Sequence, residues 1–233
     1  VGSYSQSSII QFYTPSTTPQ NIAYQNYQEN SNLTDVNSLA VMEFRIMDGG
    51  LANDDADLVG TTLTGITLHL SNHTLLRRIA LYNGSTEIAE QAVSGSSVSF
   101  TGLNFLVSDD NSRIITVRAS FNSSGITDNS QFSISFSHND VTESPLGSLF
   151  SNFGTVNSET FGDRNRIEVT ATKLLFAQQP QANVFVDATM SPAPSVEAVD
   201  GFNNRDLDYT TAILLSSTGT MTGDPISVNA TEG

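Results

Sequence analysis

The sequence predicts an all-β protein, and three observations carry that expectation. Apolar and polar residues alternate with period 2 through many short runs, as in strands that bury one face and wet the other. Clusters of Asn, Asp and Gly separate those runs. Nowhere do apolar residues recur at helical spacing over a helix-length window. Many short strands at regular intervals predict tandem immunoglobulin-like antiparallel β-sandwich domains.

Taken in order, residues 1–38 are polar and carry Pro15 and Pro19, with one apolar run at Ser8–Tyr13. They read as the last strand of a preceding module followed by a linker that Tyr24 and Tyr27 anchor. A β-sandwich module is expected over 39–165. Its strands are signalled by Met42, Phe44 and Ile46; by Ile66, Leu68 and Leu70; by Ile79 and Leu81; and by Ile115, Val117, Ala119 and Phe121, then Phe132, Ile134 and Phe136. Val98 and Phe100 precede Leu103, Phe105 and Val107, with a turn expected at Thr101-Gly102. Further turns are expected at Asn83-Gly84, Ser94-Gly95, Asp109-Asp110-Asn111 and Asp128-Asn129. Gly147–Gly162 reads as a looser connection. A new strand over Arg166–Thr172 opens a second immunoglobulin-like module, 166–233, whose 68 residues fall short of the roughly 100 usual for that fold. Both ends of the chain therefore read as cuts within a longer polypeptide, with the second module completed by further strands or by another chain.

Composition narrows the function classes. Nine basic residues, only one of them lysine (Lys173), stand against 24 acidic ones, a formal net charge of −15. Binding nucleic acid or anionic lipid requires positive charge to displace counterions, so neither is an expected partner. No apolar run reaches the ~18 residues of a membrane span, so direct membrane insertion is not expected. The chain has no Cys, which excludes disulfides and thiol catalysis. It also lacks HExxH, GxSxG, P-loop and GxGxxG motifs. His69 falls on the polar face of its strand and His73 in a turn, and nothing points to an enzyme or to a cofactor other than calcium.

The loop Asp48–Asp57 places Asp48, Asn53, Asp54, Asp55 and Asp57 directly after a strand. Calcium takes six to eight oxygen ligands, and loops dense in Asp and Asn supply them, although the spacing here is not that of an EF-hand. The same residue types also simply form turns on an acidic protein. Asp109-Asp110-Asn111 and Asp163-Arg164-Asn165 are further acidic loops that could contribute, and bound ions would stiffen the angle between modules. Asp200, Asn203, Asn204, Asp206 and Asp208 read as a polar hairpin turn.

Six strings together resemble one family: Phe44–Gly50, Asp54–Leu58, Leu75–Tyr82, Arg118–Phe121, Asp163–Thr172 and Leu174–Pro180. They are similar to the tandem repeat modules of giant cell-surface adhesins of gliding bacteria, secreted by the type IX system, and the resemblance covers residues 20–215. It implies a long filamentous chain of β-sandwiches on the extracellular bacterial surface, supporting attachment and gliding motility, and it brings no catalytic residues. The expected partners are neighbouring modules of the same chain, other copies in a filament through strand donation, and a surface or polysaccharide ligand. The alternative is a carbohydrate-binding or accessory module of a secreted polysaccharide-degrading protein. With Trp absent, Tyr13, Tyr24 and Tyr27 are its only plausible sugar platform.

Overall fold

In the computed structural model of the protein, which describes residues 8–12, 21–23, 32–158, 165–185, 188–216 and 225–231, the alternating runs become strands of antiparallel sheets. The chain divides into two units, 1–122 with 131–166, and 123–130 with 167–233.

The first unit is a β-sandwich. One sheet has the order β1 (Ile9–Phe12), β3 (Leu39–Met47), β8 (Ser112–Phe121), β5 (Leu76–Asn83), β6 (Thr86–Ala92). The other is built on β4 (Thr61–Leu70). It is flanked on one edge by β7 (Ser97–Val107) and on the other by β9 (Ile134–Phe136) and β10 (Val141–Glu143), with β11 (Val156–Asn157) beyond β9. A further short strand, β2, covers Asn21–Ala23. Cross-strand register aligns the apolar residues that the alternation singles out. Met42, Val117 and Leu81 form one row across the first sheet, and Val141, Ile66 and Phe100 form another across the second. The sheets meet where the ring of Phe44 packs edge-on against that of Phe136, centroids 4.9 Å apart.

Three features of this unit differ from the expectation. Ile9–Phe12 does not close a preceding module: it pairs with β3, Ile10 opposite Ile46, as the edge strand of this sandwich. Within the expected linker, residues 32–38 also belong here. Leu33 is buried with Ala80 and Tyr82 on the outer face of β5, and Tyr82 Oη donates to the Leu33 carbonyl. Arg118 donates through Nε to Ser38 Oγ and through Nη2 to the carbonyls of Asp35 and Ser38, fastening the segment to β8. The expected turn at Thr101-Gly102 is instead a bulge inside one long strand. Thr101 faces Gly65 and Phe105 faces Leu63, so β7 advances four residues while β4 advances two. Gly102, at φ +67°, takes the left-handed conformation this requires. The bulge moves the buried residues from even positions (Val98, Phe100) to odd ones (Leu103, Phe105, Val107). Tyr13, Tyr24 and Tyr27 lie outside the described residues.

In the second unit, β13 (Lys173–Gln178) pairs with β14 (Ser195–Val199), and β15 (Ala212–Leu215) pairs with β16 (Ile226–Asn229). Between these ladders runs an apolar groove of about 690 Å³ lined by Phe176, Met190, Val196, Ile213, Leu215 and Val228. The strand expected over Arg166–Thr172 stops at β12 (Arg166–Glu168), because the next amides bond elsewhere. Val169 N donates to Asp128 Oδ1 at 2.7 Å and Ala171 N to Asp206 Oδ2 at 2.8 Å, so carboxylates replace a partner strand.

No helix among the described residues is long and apolar enough to cross a membrane.

Candidate metal centre

The Asp48–Asp57 loop begins where β3 ends and is shaped by backbone that side chains resist. Gly49 sits at φ +72°, and a Cβ there would lie 2.3 Å from Asp54 N. Asn53 also adopts the left-handed conformation, which Asn tolerates better than most residues. The chain thus folds back over a 3₁₀ turn at Gly50–Ala52 and presents its acidic residues to the loop that joins β7 and β8.

The five residues expected to share an ion do not all converge. Asp48 is fully buried and turned inward. Its Oδ1 accepts from Ser8 Oγ and Thr61 Oγ1, both at 2.8 Å, and its Oδ2 from Asp110 N at 3.1 Å. Held by these donors, Asp48 anchors the loop and is not among the carboxylates that converge at the cluster, a correction to the sequence reading. Asp54 is exposed and stands outside the cluster.

Asp55 and Asp57 do converge, and Asp109 joins them from the β7–β8 loop, with carboxylate oxygens all within 4.8 Å. Asp57 Oδ1 accepts from Val59 N and both its oxygens from Ser148 Oγ; Asp55 Oδ1 accepts from Asp57 N. These bonds fix the carboxylates in place. Asn53 Oδ1 in this loop and Asp109 Oδ1 in the cluster are both buried with no hydrogen-bond partner. Burial raises the Asp109 carboxyl above the ordinary carboxylate range, and the charges of Asp110, Asp48, Asp55 and Asp57 push it the same way. An all-oxygen set with unsatisfied members and mutual repulsion is chemically suited to a hard divalent cation such as calcium. The sequence offered Asp109 only as part of a further acidic loop that could contribute; β7 and β8 carry it to the site.

The other acidic loops divide. Asn165, at φ +53° and buried, donates through Nδ2 to Ser158 Oγ, a structural contact; Asp163 and Arg164 lie outside the described residues. Asp200–Asn204 forms a turn closed by the Asp200 carboxylate, which accepts from the backbone of Phe202 and Asn204 and from Asn204 Nδ2. Asp206 and Asp208 leave that turn to meet Asp128.

His69 Nε2 lies 2.8 Å from Asp140 Oδ1, while Ser137 Oγ donates to Asp140 Oδ2. The serine thus meets the acid rather than the imidazole, so the histidine is not placed as its base, as nucleophilic catalysis would require. His138 packs edge-on against Phe153. Comparison with protein-family models and with curated proteins finds no match for this chain.

Proposed function

We propose that this chain is a non-catalytic, calcium-stiffened stalk segment of a large filamentous adhesin on the extracellular surface of a bacterium, serving attachment and gliding motility. The observation that carries the structural half of this reading is the convergence of Asp55, Asp57 and Asp109, with Asp109 Oδ1 buried and without a hydrogen-bond partner. Calcium held there would lock the β3–β4 loop to the β7–β8 loop of the sandwich, replacing charge repulsion with cross-linking. Asp55, Asp57, Asp109 and the Asn53 amide oxygen would be its ligands.

The cellular half rests on the resemblance of Phe44–Gly50, Leu75–Tyr82 and Asp163–Thr172 to adhesin repeats, together with composition. A net charge of −15 and short polar-faced strands keep closely strung modules soluble and apart. Paired antiparallel strands carry tension along such a chain. Immunoglobulin-like repetition, type IX secretion, and contacts with neighbouring modules and other copies belong to the same proposal.

Protease treatment of whole cells, followed by mass determination of the polypeptide carrying this segment, tests it. A chain of several hundred kilodaltons shed from the surface supports the adhesin. A product of about this chain's own mass, retained within the cell, contradicts it.

A further inference from the structure

We propose that Asp128, Asp206 and Asp208 form a second calcium site, built within the second unit and independent of the loop after β3.

Their carboxylate oxygens lie within 4.8 Å of one another. Two oxygens on opposite sides of a calcium ion, each about 2.4 Å from it, stand about that far apart. Asp128 and Asp206 are 3% and 5% exposed, and Asp208 is at the surface. The two buried carboxylates are held rigidly. Asp128 accepts from Val169 N, Leu207 N and Asn129 Nδ2, and Asp206 Oδ2 accepts from Ala171 N.

The decisive atom is Asp206 Oδ1, which is buried with no hydrogen-bond partner. A buried acceptor without a donor is destabilising, the more so when it carries charge. Here it belongs to a cluster of like charges. Among nearby basic residues, Arg205 faces Glu197 at 3.6 Å and Lys173 donates to the Gly201 carbonyl. A divalent cation satisfies the orphan oxygen and the repulsion together. Backbone amides already occupy part of each buried carboxylate, leaving a fixed, irregular oxygen set. Calcium accepts that geometry, whereas magnesium demands a near-ideal octahedron. Asp208 would close the site from the solvent side. The ion would fasten three stretches of the second unit, Asp128 with its turn, Val169–Ala171, and Asp206–Asp208, where β-ladder bonds are missing.

Native mass spectrometry of the 233-residue chain titrated with calcium chloride reads each site separately. The wild type is expected to take up two ions. Asp206→Asn and Asp208→Asn should each lose or weaken one of them, with affinity falling about tenfold or more, while Asp57→Asn spares it. If the loop after β3 binds nothing, the wild type takes one ion, which Asp206→Asn removes and Asp57→Asn does not. Asp208→Asn, at an exposed position, keeps the test decisive should Asp206→Asn disturb folding, as circular dichroism would show. Unchanged calcium stoichiometry and affinity in a folded Asp206→Asn, or in Asp208→Asn, would overturn the proposal.

Discussion

Asp48 Oδ1 accepts a hydrogen bond from Thr61 Oγ1 at 2.8 Å, and both residues are fully buried. Asp48→Ala leaves the hydroxyls of Ser8 and Thr61 without their acceptor. The expected loss is about 2–4 kcal/mol in the denaturant unfolding of the first unit. It should be equal in EDTA and in calcium, since this aspartate anchors backbone. A loss that disappears in EDTA would return Asp48 to the ligand set.

Asp109→Asn removes one charge from the cluster and relieves repulsion with Asp55 and Asp57. In EDTA near neutral pH the variant should melt above the wild type; in calcium it should lose the gain that the ion confers at that loop. Scanning calorimetry under the two conditions shows both effects, and a variant that responds to calcium as the wild type does would remove Asp109 from the site.

Phe44→Ala should cost about 3–5 kcal/mol, because it vacates the fully buried ring that packs on Phe136 across the sandwich. Chemical denaturation of the variant measures it directly. A cost below about 1 kcal/mol, the level of many surface substitutions, would contradict the packing of these two sheets.

Asp140 sets an acid-sensitive contribution. Burial alone would raise its carboxyl, but hydrogen bonds from His69 and Ser137 outweigh burial and hold it below the ordinary range. A depressed carboxylate contributes stability above its unfolded pKa, about 3.9, and loses it as pH falls through the lower folded value. Asp140→Asn should flatten that acid limb and cost roughly 1 kcal/mol near neutral pH through the lost cap on the His138–Asp140 turn. Parallel acid limbs in variant and wild type would refute it.

Most strands of the first unit were legible because one face of each is buried, so that Phe44, Leu68 and Val117 stand at alternating positions. Partners were not legible. Nothing in Ile9–Phe12 says that it pairs with β3, because a four-residue run carries no record of a strand 35 residues on. A bulge and a turn both break the alternation, and only the ladder between β7 and β4 tells that Gly102 makes the former. The acidic loop after β3 was visible as a cluster, yet sequence density placed Asp48 in it and gave Asp109 only a supporting part. Which oxygen faces in depends on hydroxyls at Ser8 and Thr61, 40 and 13 residues from Asp48 along the chain. The meeting of Asp128 with Asp206 was beyond sequence spacing altogether, as 78 residues separate them.

Scanning calorimetry of the chain in excess calcium and in EDTA bears most directly on the claim that metal ions stiffen this protein. An ion bound only by the folded state stabilises by about 2.7 kcal/mol at a hundredfold excess over its Kd. The melting transition should therefore rise by several degrees in calcium, and Asp57→Asn combined with Asp208→Asn should abolish the rise. Superimposable thermograms of the wild type in the two buffers would contradict it.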